Sequence, residues 1–180
     1  FFNSVYYNHF YTLIMNPEIE EKIDVIKLVI TDVDGVLTDG GMYYNNDGEY
    51  MKKFNTKDSM GMELLLQNGI KTVLVTREDS RIVQERVKKI KIVDLFSGIL
   101  KKEDLLPELL QKYQVAKDEI VYIGDDVNDL EIMKSVGFSA TPSDGNIVVK
   151  DIADYICKTL GGKGVFREIS DLIINNKNNQ

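Results

Sequence analysis

An apolar segment that ends in two aspartates constrains the fold of this chain more than any other feature. Residues 25–30 are apolar except for one lysine, and the segment continues into Asp32, Asp34 and Gly35. Short apolar runs closed by Asp and Gly are typical of strands at the centre of a parallel sheet. Because ligands of open α/β sheets bind beyond the carboxyl ends of strands, we expect chemistry at Asp32 and Asp34. Two residues apart in extended chain, their side chains lie on one side, where they can share a cation or act as nucleophile and acid.

Composition narrows the chemistry that this site can use. The chain has 180 residues, 43% of them hydrophobic and 28% charged, which indicates one folded domain rather than a disordered or membrane protein. Its net charge of −7 argues against nucleic acid as a partner, since basic faces bind phosphate backbones. Cys157 and His9 are the only cysteine and histidine, so disulfide frameworks, cysteine metal clusters and Ser-His-Asp catalysis are excluded unless residues 1–15 belong to a site. A single cysteine also fits a reducing cytoplasm.

The pattern along the chain divides it into three parts. Residues 1–15 are aromatic and asparagine-rich and fit neither a signal peptide nor a membrane span, so we interpret them as an N-terminal extension. Residues 16–175 are predicted to form a single domain. Residues 176–180 are predicted to be a polar, frayed tail.

Apolar runs alternate with helical patterns through the predicted domain. The further strands are predicted at residues 70–75, 95–97, 120–123 and 138–140, and the helices at 60–68, 80–90, 101–113, 129–136 and near the C terminus. Asp58 or Ser59 is the predicted cap of the first of these helices. Residues 41–44 and 49–54 flank a turn at 45–48, which indicates a β-hairpin. The alternation predicts an α/β fold, a doubly wound Rossmann-like parallel sheet with helices on both faces and a hairpin flap.

Polar residues follow three of the predicted strands. An isolated Asp after a strand is more often a turn former or a helix cap than a catalytic group. Here the polar residues recur in one order: Asp32 and Asp34, then Thr76, then the cation Lys102, then Asp125 with Asn128 and Asp129. Taken together they indicate a site at one edge of the sheet.

These residues, in this order, resemble the four motifs of the haloacid dehalogenase superfamily. The subgroup resembled is that of the capless sugar-acid phosphatases, which act on octulosonate 8-phosphate or nonulosonate 9-phosphate. The similarity runs over residues 27–174 and includes Lys53, Phe54 and Asn55 with Asp58, and the glycine-rich tail at 161–168. The spacing between the motifs leaves room for a hairpin and single helices, so no cap domain is expected.

The resemblance implies a role for each motif residue. Asp32 is implied as the nucleophile that forms an aspartyl-phosphate, and Asp34 as the acid that protonates the leaving sugar oxygen. Mg²⁺ is the implied cofactor, held by the carboxylates of Asp32 and Asp125 and the backbone carbonyl of Asp34. Thr76 and Lys102 are implied to bind phosphate oxygens. Asn128 and Asp129 are implied to orient the waters on the metal, or the lysine, without binding the metal themselves. Asp126 is left without an assignment.

The substrate is where this chain departs from the best-known members of the subgroup. The octulosonate phosphatases have Thr-Gly-Arg where this chain has Thr76, Arg77 and Glu78. Glu at the third position resembles the nonulosonate type and leads us to expect a sialic-acid-like nonulosonate 9-phosphate, with octulosonate 8-phosphate as the alternative. The candidate substrate contacts are Glu78, Arg167, Lys53 and Asp58. Arg77 contacts substrate or faces solvent, and Arg167 binds an anion or forms an ordinary surface ion pair.

The partner implied by the resemblance is a second copy of the chain. An uncapped site needs cover, and the aromatic hairpin at residues 43–53 is suited to packing against neighbouring subunits in a homotetramer. Two rival functions remain open. One is a non-catalytic oligomerisation module of a CMP-sialate synthetase, against which the presence of Asp32 and Asp34 argues. The other is a phosphatase of broad scope for small molecules.

Overall fold

A computed structural model describes residues 16–178, and the predicted extension at 1–15 lies outside them. Its helices and strands follow one another in this order: α1 (Pro17–Asp24), β1 (Leu28–Thr31), β2 (Tyr43–Asn45), β3 (Gly48–Met51), α2 (Thr56–Gln67), β4 (Lys71–Val75), α3 (Arg81–Ile90), β5 (Val93–Phe96), α4 (Leu106–Tyr113), β6 (Ile120–Ile123), α5 (Leu130–Met133), β7 (Phe138–Thr141), α6 (Ile147–Lys150), β8 (Tyr155–Ile156) and α7 (Val165–Asn178). Short 3₁₀ helices at Lys102–Leu105, Lys117–Glu119 and Val127–Asp129 precede α4, β6 and α5.

Within residues 16–178, six strands form one parallel sheet in the order β5-β4-β1-β6-β7-β8. The chain builds the sheet outward from β1 in one direction through β4 and β5, and then in the other through β6, β7 and β8. The reversal leaves a crevice at the carboxyl ends of β1 and β6, the place where such sheets bind ligands. The predicted α/β fold with β1 at its centre is confirmed.

Alternate residues of β1 enter two separate cores, one on each face of the sheet. Val29 packs with buried residues of α2 and α7, such as Met62 and Ile169. Leu28 and Ile30 pack on the other face with residues of α4 and α5. All three β1 side chains are fully buried, as expected for a central strand covered by helices on both faces. The predicted helical layers are therefore confirmed.

The hairpin forms with its turn at residues 45–48, as predicted. Strands β2 and β3 pair antiparallel with Asn45 opposite Gly48, so the strands extend to the first and last residues of that turn. Gly48 has a φ of 115°, which a side chain at that position would disfavour. The described part of the chain has no cap domain between its motifs, as the spacing predicted.

Several helix boundaries differ from the predictions. Helix α2 begins at Thr56 because the Asn55 side chain accepts a hydrogen bond from the N–H of Lys57, so Asp58 and Ser59 are not its caps. Helix α5 ends at Met133, before the predicted end at 136. Helices α1 and α6 and the edge strand β8 were not predicted.

The C-terminal helix is longer than predicted. It continues through residues 176–178, which were expected to begin a frayed tail. Asn176 donates to the carbonyl of Glu20 at 3.2 Å, and the ammonium of Lys177 donates to that of Asp24 at 3.0 Å. These contacts with α1 hold the last turns of α7. None of the helices among residues 16–178 combines the length and apolarity needed to cross a membrane.

Candidate active site

Asp32 and Asp125 face each other across the crevice between β1 and β6. The N–H of Asp32 donates to the carbonyl of Ile123 at 2.9 Å, which continues the pairing of the two strands to their tips. Gly35 follows on a loop that passes close to Asp125. Its φ is +86°, and a Cβ placed there would lie 1.9 Å from Asp125 Oδ2. Only glycine lets this loop approach the second carboxylate so closely.

Lys102 bridges two carboxylates inside the protein. Its side chain is fully buried, and its Nζ lies 2.7 Å from Asp32 Oδ2 and 2.7 Å from Asp129 Oδ1. Burial alone would lower the pKa of Lys102, but the charges of Asp32 and Asp129 outweigh it and raise that pKa. Lys102 is therefore a permanent cation beside the proposed nucleophile.

Asp129 uses both of its oxygens within the protein. Oδ1 accepts from Lys102 and from the Tyr122 hydroxyl at 2.6 Å, and Oδ2 accepts from the N–H groups of Asp125 at 3.0 Å and Asp126 at 3.3 Å. The four donors leave this buried carboxylate little capacity for a further ligand. Asp129 holds Lys102 and shapes the loop that carries Asp125.

Three carboxylates come close enough to share a metal ion. One oxygen of each of Asp32, Asp125 and Asp129 lies within 4.8 Å of the others. Burial, followed by the charges of Asp32 and Asp129, raises the pKa of Asp125 to about 8. Burial and the charge of Asp129 raise the pKa of Asp32 to about 7, against the opposing effect of Lys102. Such a cluster of hard oxygen donors, short of positive charge, fits Mg²⁺. Asp32 accepts from the N–H of Val33 and from Lys102, one donor at each oxygen, and so keeps more capacity for a metal than Asp129 does.

Asp34 is held by a lysine that the sequence analysis did not select. Lys52 Nζ lies 2.7 Å from Asp34 Oδ1 and 2.8 Å from Glu49 Oε1, and the Thr38 hydroxyl donates to the same Asp34 oxygen at 3.3 Å. Burial lowers the pKa of Lys52, but its hydrogen bonds to Asp34 and Glu49 outweigh that effect and raise it. Lys52 is thus a second buried cation at the site.

Thr76 and Asn128 lie at the tips of β4 and β6. Thr76 is buried directly after β4, next to β1 in the sheet, and its hydroxyl accepts from the N–H of Glu78 at 3.3 Å. Asn128 is half-buried in the 3₁₀ helix that links Asp125 to Asp129. Asp126, left unassigned above, accepts from the N–H of Val127 at 2.8 Å and the amide of Asn146 at 3.0 Å, which indicates a structural role.

None of the four candidate substrate contacts belongs to the cluster of Asp32, Asp125 and Asp129. Glu78 is exposed on the loop after Thr76, beside the exposed Arg77. The side chain of Lys53 is 55% exposed and lies 3.9 Å from Asp39. Arg167 pairs with Asp171 at 2.7 Å on its own helix, as in the surface ion pair considered above.

Asp58 is buried between α2 and α7 instead of facing the crevice. It accepts a hydrogen bond from the N–H of Arg167 at 3.1 Å. Burial raises the pKa of Asp58 to about 6. A carboxylate at the N terminus of a 14-residue helix interacts favourably with the helix dipole. This placement indicates that Asp58 anchors α7 rather than contacts substrate.

Lys52 and Tyr122 contact the candidate residues Asp34 and Asp129, and sequence reasoning missed both. Lys52 stands next to Lys53 after a strand, where successive side chains point in opposite directions, so the pattern indicates that one of the pair faces inward. Tyr122 lies in an otherwise aliphatic strand, and its buried hydroxyl requires a partner. Both signals are present in the sequence, but neither names the partner.

Comparisons with known proteins agree with this geometry. Residues 88–169 match the family of haloacid dehalogenase-like hydrolases. The chain is 39% identical to the 3-deoxy-D-manno-octulosonate 8-phosphate phosphatase of Haemophilus influenzae over 155 residues, 86% of each protein. The cobalt-bound structure of the H. influenzae phosphatase superposes with a TM-score of 0.85, covering 87% of this chain and 92% of that one.

A second solved structure bears on the ligands of such a site. It is the 3-deoxy-D-manno-octulosonate 8-phosphate phosphatase of Moraxella catarrhalis in complex with a magnesium ion, a phosphate ion and the sugar acid. The two chains are 34% identical and superpose with a TM-score of 0.87. The matched part covers 92% of this chain and 95% of the M. catarrhalis chain.

Proposed function

The chain belongs to the haloacid dehalogenase-like hydrolases, and we propose from this that it hydrolyses 3-deoxy-D-manno-octulosonate 8-phosphate through an aspartyl-phosphate on Asp32. It is a phosphatase of that superfamily, and its substrate is a sugar-acid phosphate. The observation that carries the proposed chemistry is the buried bridge from Asp32 through Lys102 to Asp129, beside Asp125. Phosphoryl transfer to an aspartate requires a nucleophilic carboxylate, a cation fixed beside it, and a further carboxylate that can hold a metal ion.

In the first step Asp32 attacks phosphorus and the bond from phosphorus to the sugar oxygen breaks. Asp34 donates a proton to that oxygen, because an alkoxide is a poor leaving group. Lys102 and Thr76 interact with the phosphoryl oxygens and stabilise their charge in the transition state. In the second step Asp34 takes a proton from water as the water attacks phosphorus, which releases phosphate and restores Asp32.

The cofactor is Mg²⁺, as in the M. catarrhalis relative. In our proposal the carboxylates of Asp32 and Asp125 and the backbone carbonyl of Asp34 hold it. When bound, it neutralises charge on the transferred phosphoryl group and orients that group. The raised pKa values of Asp32 and Asp125 support this assignment, because burial and the neighbouring carboxylate charges raise them and a cation held by the two carboxylates would offset both effects.

The choice of sugar acid rests on the relatives. Both named relatives act on the octulosonate ester, so the comparisons support the alternative considered in the sequence analysis rather than a nonulosonate 9-phosphate. Glu78 is the observation that keeps the nonulosonate ester as a second candidate. It is exposed beside Thr76, where a carboxylate suits sugar hydroxyls or an amide better than it suits a second anion.

Assembly is a further part of the proposal. The hairpin exposes large apolar side chains: Met42, Tyr43, Tyr44, Tyr50 and Met51. Exposed apolar patches of this kind mark interfaces, and we propose that the hairpin packs against other copies in a homotetramer. Light scattering tests this. The wild type should have the molar mass of four chains, and Tyr44→Ser should weaken the assembly. A wild type with the molar mass of a single chain would contradict the proposal.

Phosphate release from a matched panel of esters tests the substrate. The panel comprises octulosonate 8-phosphate, N-acetylneuraminate 9-phosphate, ketodeoxynonulosonate 9-phosphate and a hexose phosphate, each with Mg²⁺. We expect the highest kcat/KM for the octulosonate ester and no activity in Asp32→Asn. Preference for a nine-carbon ester would establish the second candidate. Equal rates on all esters would indicate broad scope, and inactivity of the folded wild type would indicate the non-catalytic module.

A further inference from the structure

Lys52 lies in the interior of the site although it follows the exposed hairpin. None of its side chain is exposed, and its Nζ contacts one carboxylate at the tip of β1 and one in β3, namely Asp34 and Glu49. Its neighbour Lys53 points outward and is 55% exposed. Burying an ammonium group is costly unless anions and hydrogen bonds compensate it. This structure supplies both.

The hairpin carboxylate is itself anchored. The second oxygen of Glu49 accepts a hydrogen bond from the Ser80 hydroxyl. Ser80 is the N-cap residue of α3, on the loop that begins with Thr76 at the tip of β4. A continuous series of contacts therefore runs from Asp34, through Lys52 and Glu49, to Ser80 on the loop that follows β4, the strand next to β1.

The carboxylates of this series outnumber its single ammonium group. One ammonium lies between two carboxylates at 2.7 and 2.8 Å, so Lys52 carries no spare charge for the substrate phosphate. Its effect falls on the orientation of Asp34. Thr38 donates to the same Asp34 oxygen at the longer distance of 3.3 Å, and no donor within residues 16–178 reaches Asp34 Oδ2. Without Lys52, little else would fix the rotamer of this side chain.

We propose that Lys52, fixed by Glu49, is a positioning residue that aims the Asp34 carboxylate at the leaving-group oxygen. The inference rests on the proposed function, in which Asp34 transfers that proton. Proton transfer requires hydrogen-bond distance between the acid and the leaving oxygen, and a misplacement of about 1 Å can cost about 10²-fold in rate. The hairpin thereby has a catalytic purpose besides any role in assembly.

The test compares two leaving groups. A sugar alkoxide needs a proton as it departs, whereas nitrophenolate departs without one. We would measure kcat/KM with Mg²⁺ for the preferred sugar-acid phosphate and for p-nitrophenyl phosphate, because this parameter reports steps up to transfer to Asp32. The variants are Lys52→Met, which keeps the length of the stem, and Glu49→Gln. Lys88→Met is the matched control, since its ion pair with Glu85 lies on the surface.

The expected result is selective for the leaving group. Lys52→Met should lose about 10²-fold in kcat/KM on the sugar ester and less than about threefold on the nitrophenyl ester. Glu49→Gln should show the same selectivity to a smaller extent, Lys52→Arg should recover part of the loss, and Lys88→Met should match the wild type. In an Asp34→Asn background, Lys52→Met should have no further effect on the sugar ester, because the two residues act as a unit.

Two outcomes would overturn the inference. Equal losses on both esters would show that Lys52 serves phosphate binding or folding, and circular dichroism melts of each variant would separate those two causes. Unchanged activity on both esters would show that Asp34 needs no such support. Failure of the proposed function is distinct from either, since it would appear in the wild type as activity that survives Asp32→Asn, or as no activity.

Discussion

Replacing Asp125 by Asn should stabilise the protein when Mg²⁺ is removed. No donor in the described chain hydrogen-bonds to the Asp125 carboxylate, and burial with the charges of Asp32 and Asp129 raises its pKa from 3.8 to about 8. Because the folded-state pKa of Asp125 lies above its unfolded value, ionising this group costs stability. The contribution of the protonated group to the free energy of unfolding is full below about pH 4 and is lost as the pH rises toward 8. Four pKa units at about 1.36 kcal/mol each give an upper limit of about 5–6 kcal/mol.

The expected gain is smaller than this limit, because Asn keeps the burial of a polar group and Asp32 shares the repulsion. We expect Asp125→Asn to raise the free energy of unfolding by about 2–3 kcal/mol at pH 8 in EDTA, and by less at pH 5. Mg²⁺ should cancel most of this difference. At about 100 times its dissociation constant it stabilises the wild type by about 2.7 kcal/mol and the variant by much less.

Urea denaturation across pH 5–9, with EDTA or with Mg²⁺, measures these differences. Asp47→Asn makes the same chemical change at an exposed residue in the hairpin turn and should alter stability little under any of the conditions. The reasoning would be refuted if Asp125→Asn lost stability in EDTA, or if Mg²⁺ stabilised the variant and the wild type equally.

Other substitutions test separate parts of the site. Gly35→Ala should reduce Mg²⁺ affinity by more than about 10²-fold in calorimetric titration, because its Cβ would lie 1.9 Å from Asp125 Oδ2 at a φ of +86°; retained affinity would show that the loop can move away. Asp34→Asn should lower kcat/KM on the sugar ester by about 10²- to 10⁴-fold, and an equal loss on p-nitrophenyl phosphate would contradict its role as the acid. Tyr122→Phe should cost about 1–3 kcal/mol of stability in chemical denaturation, since Asp129 Oδ1 loses its hydroxyl donor; a stability equal to that of the wild type would contradict this.

The central part of the fold follows from local sequence pattern. Buried strands such as β1 and β6 are short apolar runs closed by Asp or Gly, and parallel packing then places Asp32 and Asp125 at one edge. Physical chemistry alone predicts that edge, whereas the roles of Lys102 and Asp129 came from a family resemblance. The bridge joins two residues that lie 27 positions apart in the chain, which no local rule encodes.

The remainder was decided by tertiary contacts. Lys52 and Lys53 are the same residue type, and only the packing of the hairpin on the sheet buries one and exposes the other. Asp58 is a residue type that often caps helices, yet Asn55 caps α2. Asp58 instead accepts a hydrogen bond from an N–H group at the N terminus of α7. Helix α7 runs past its predicted end because residues of α1 bind its last turns. In each case at least one deciding contact joins residues far apart in sequence.

The identity of the nucleophile is the central claim, and trapping the phosphorylated enzyme tests it most directly. Enzyme mixed with Mg²⁺ and its sugar-acid phosphate is quenched in acid within the first turnover, and the acyl phosphate is reduced with borohydride. Peptide mass spectrometry should then find homoserine at position 32 and aspartate still at 34 and 125. Homoserine at another position, or none during active turnover, would contradict the assignment of Asp32 as the nucleophile.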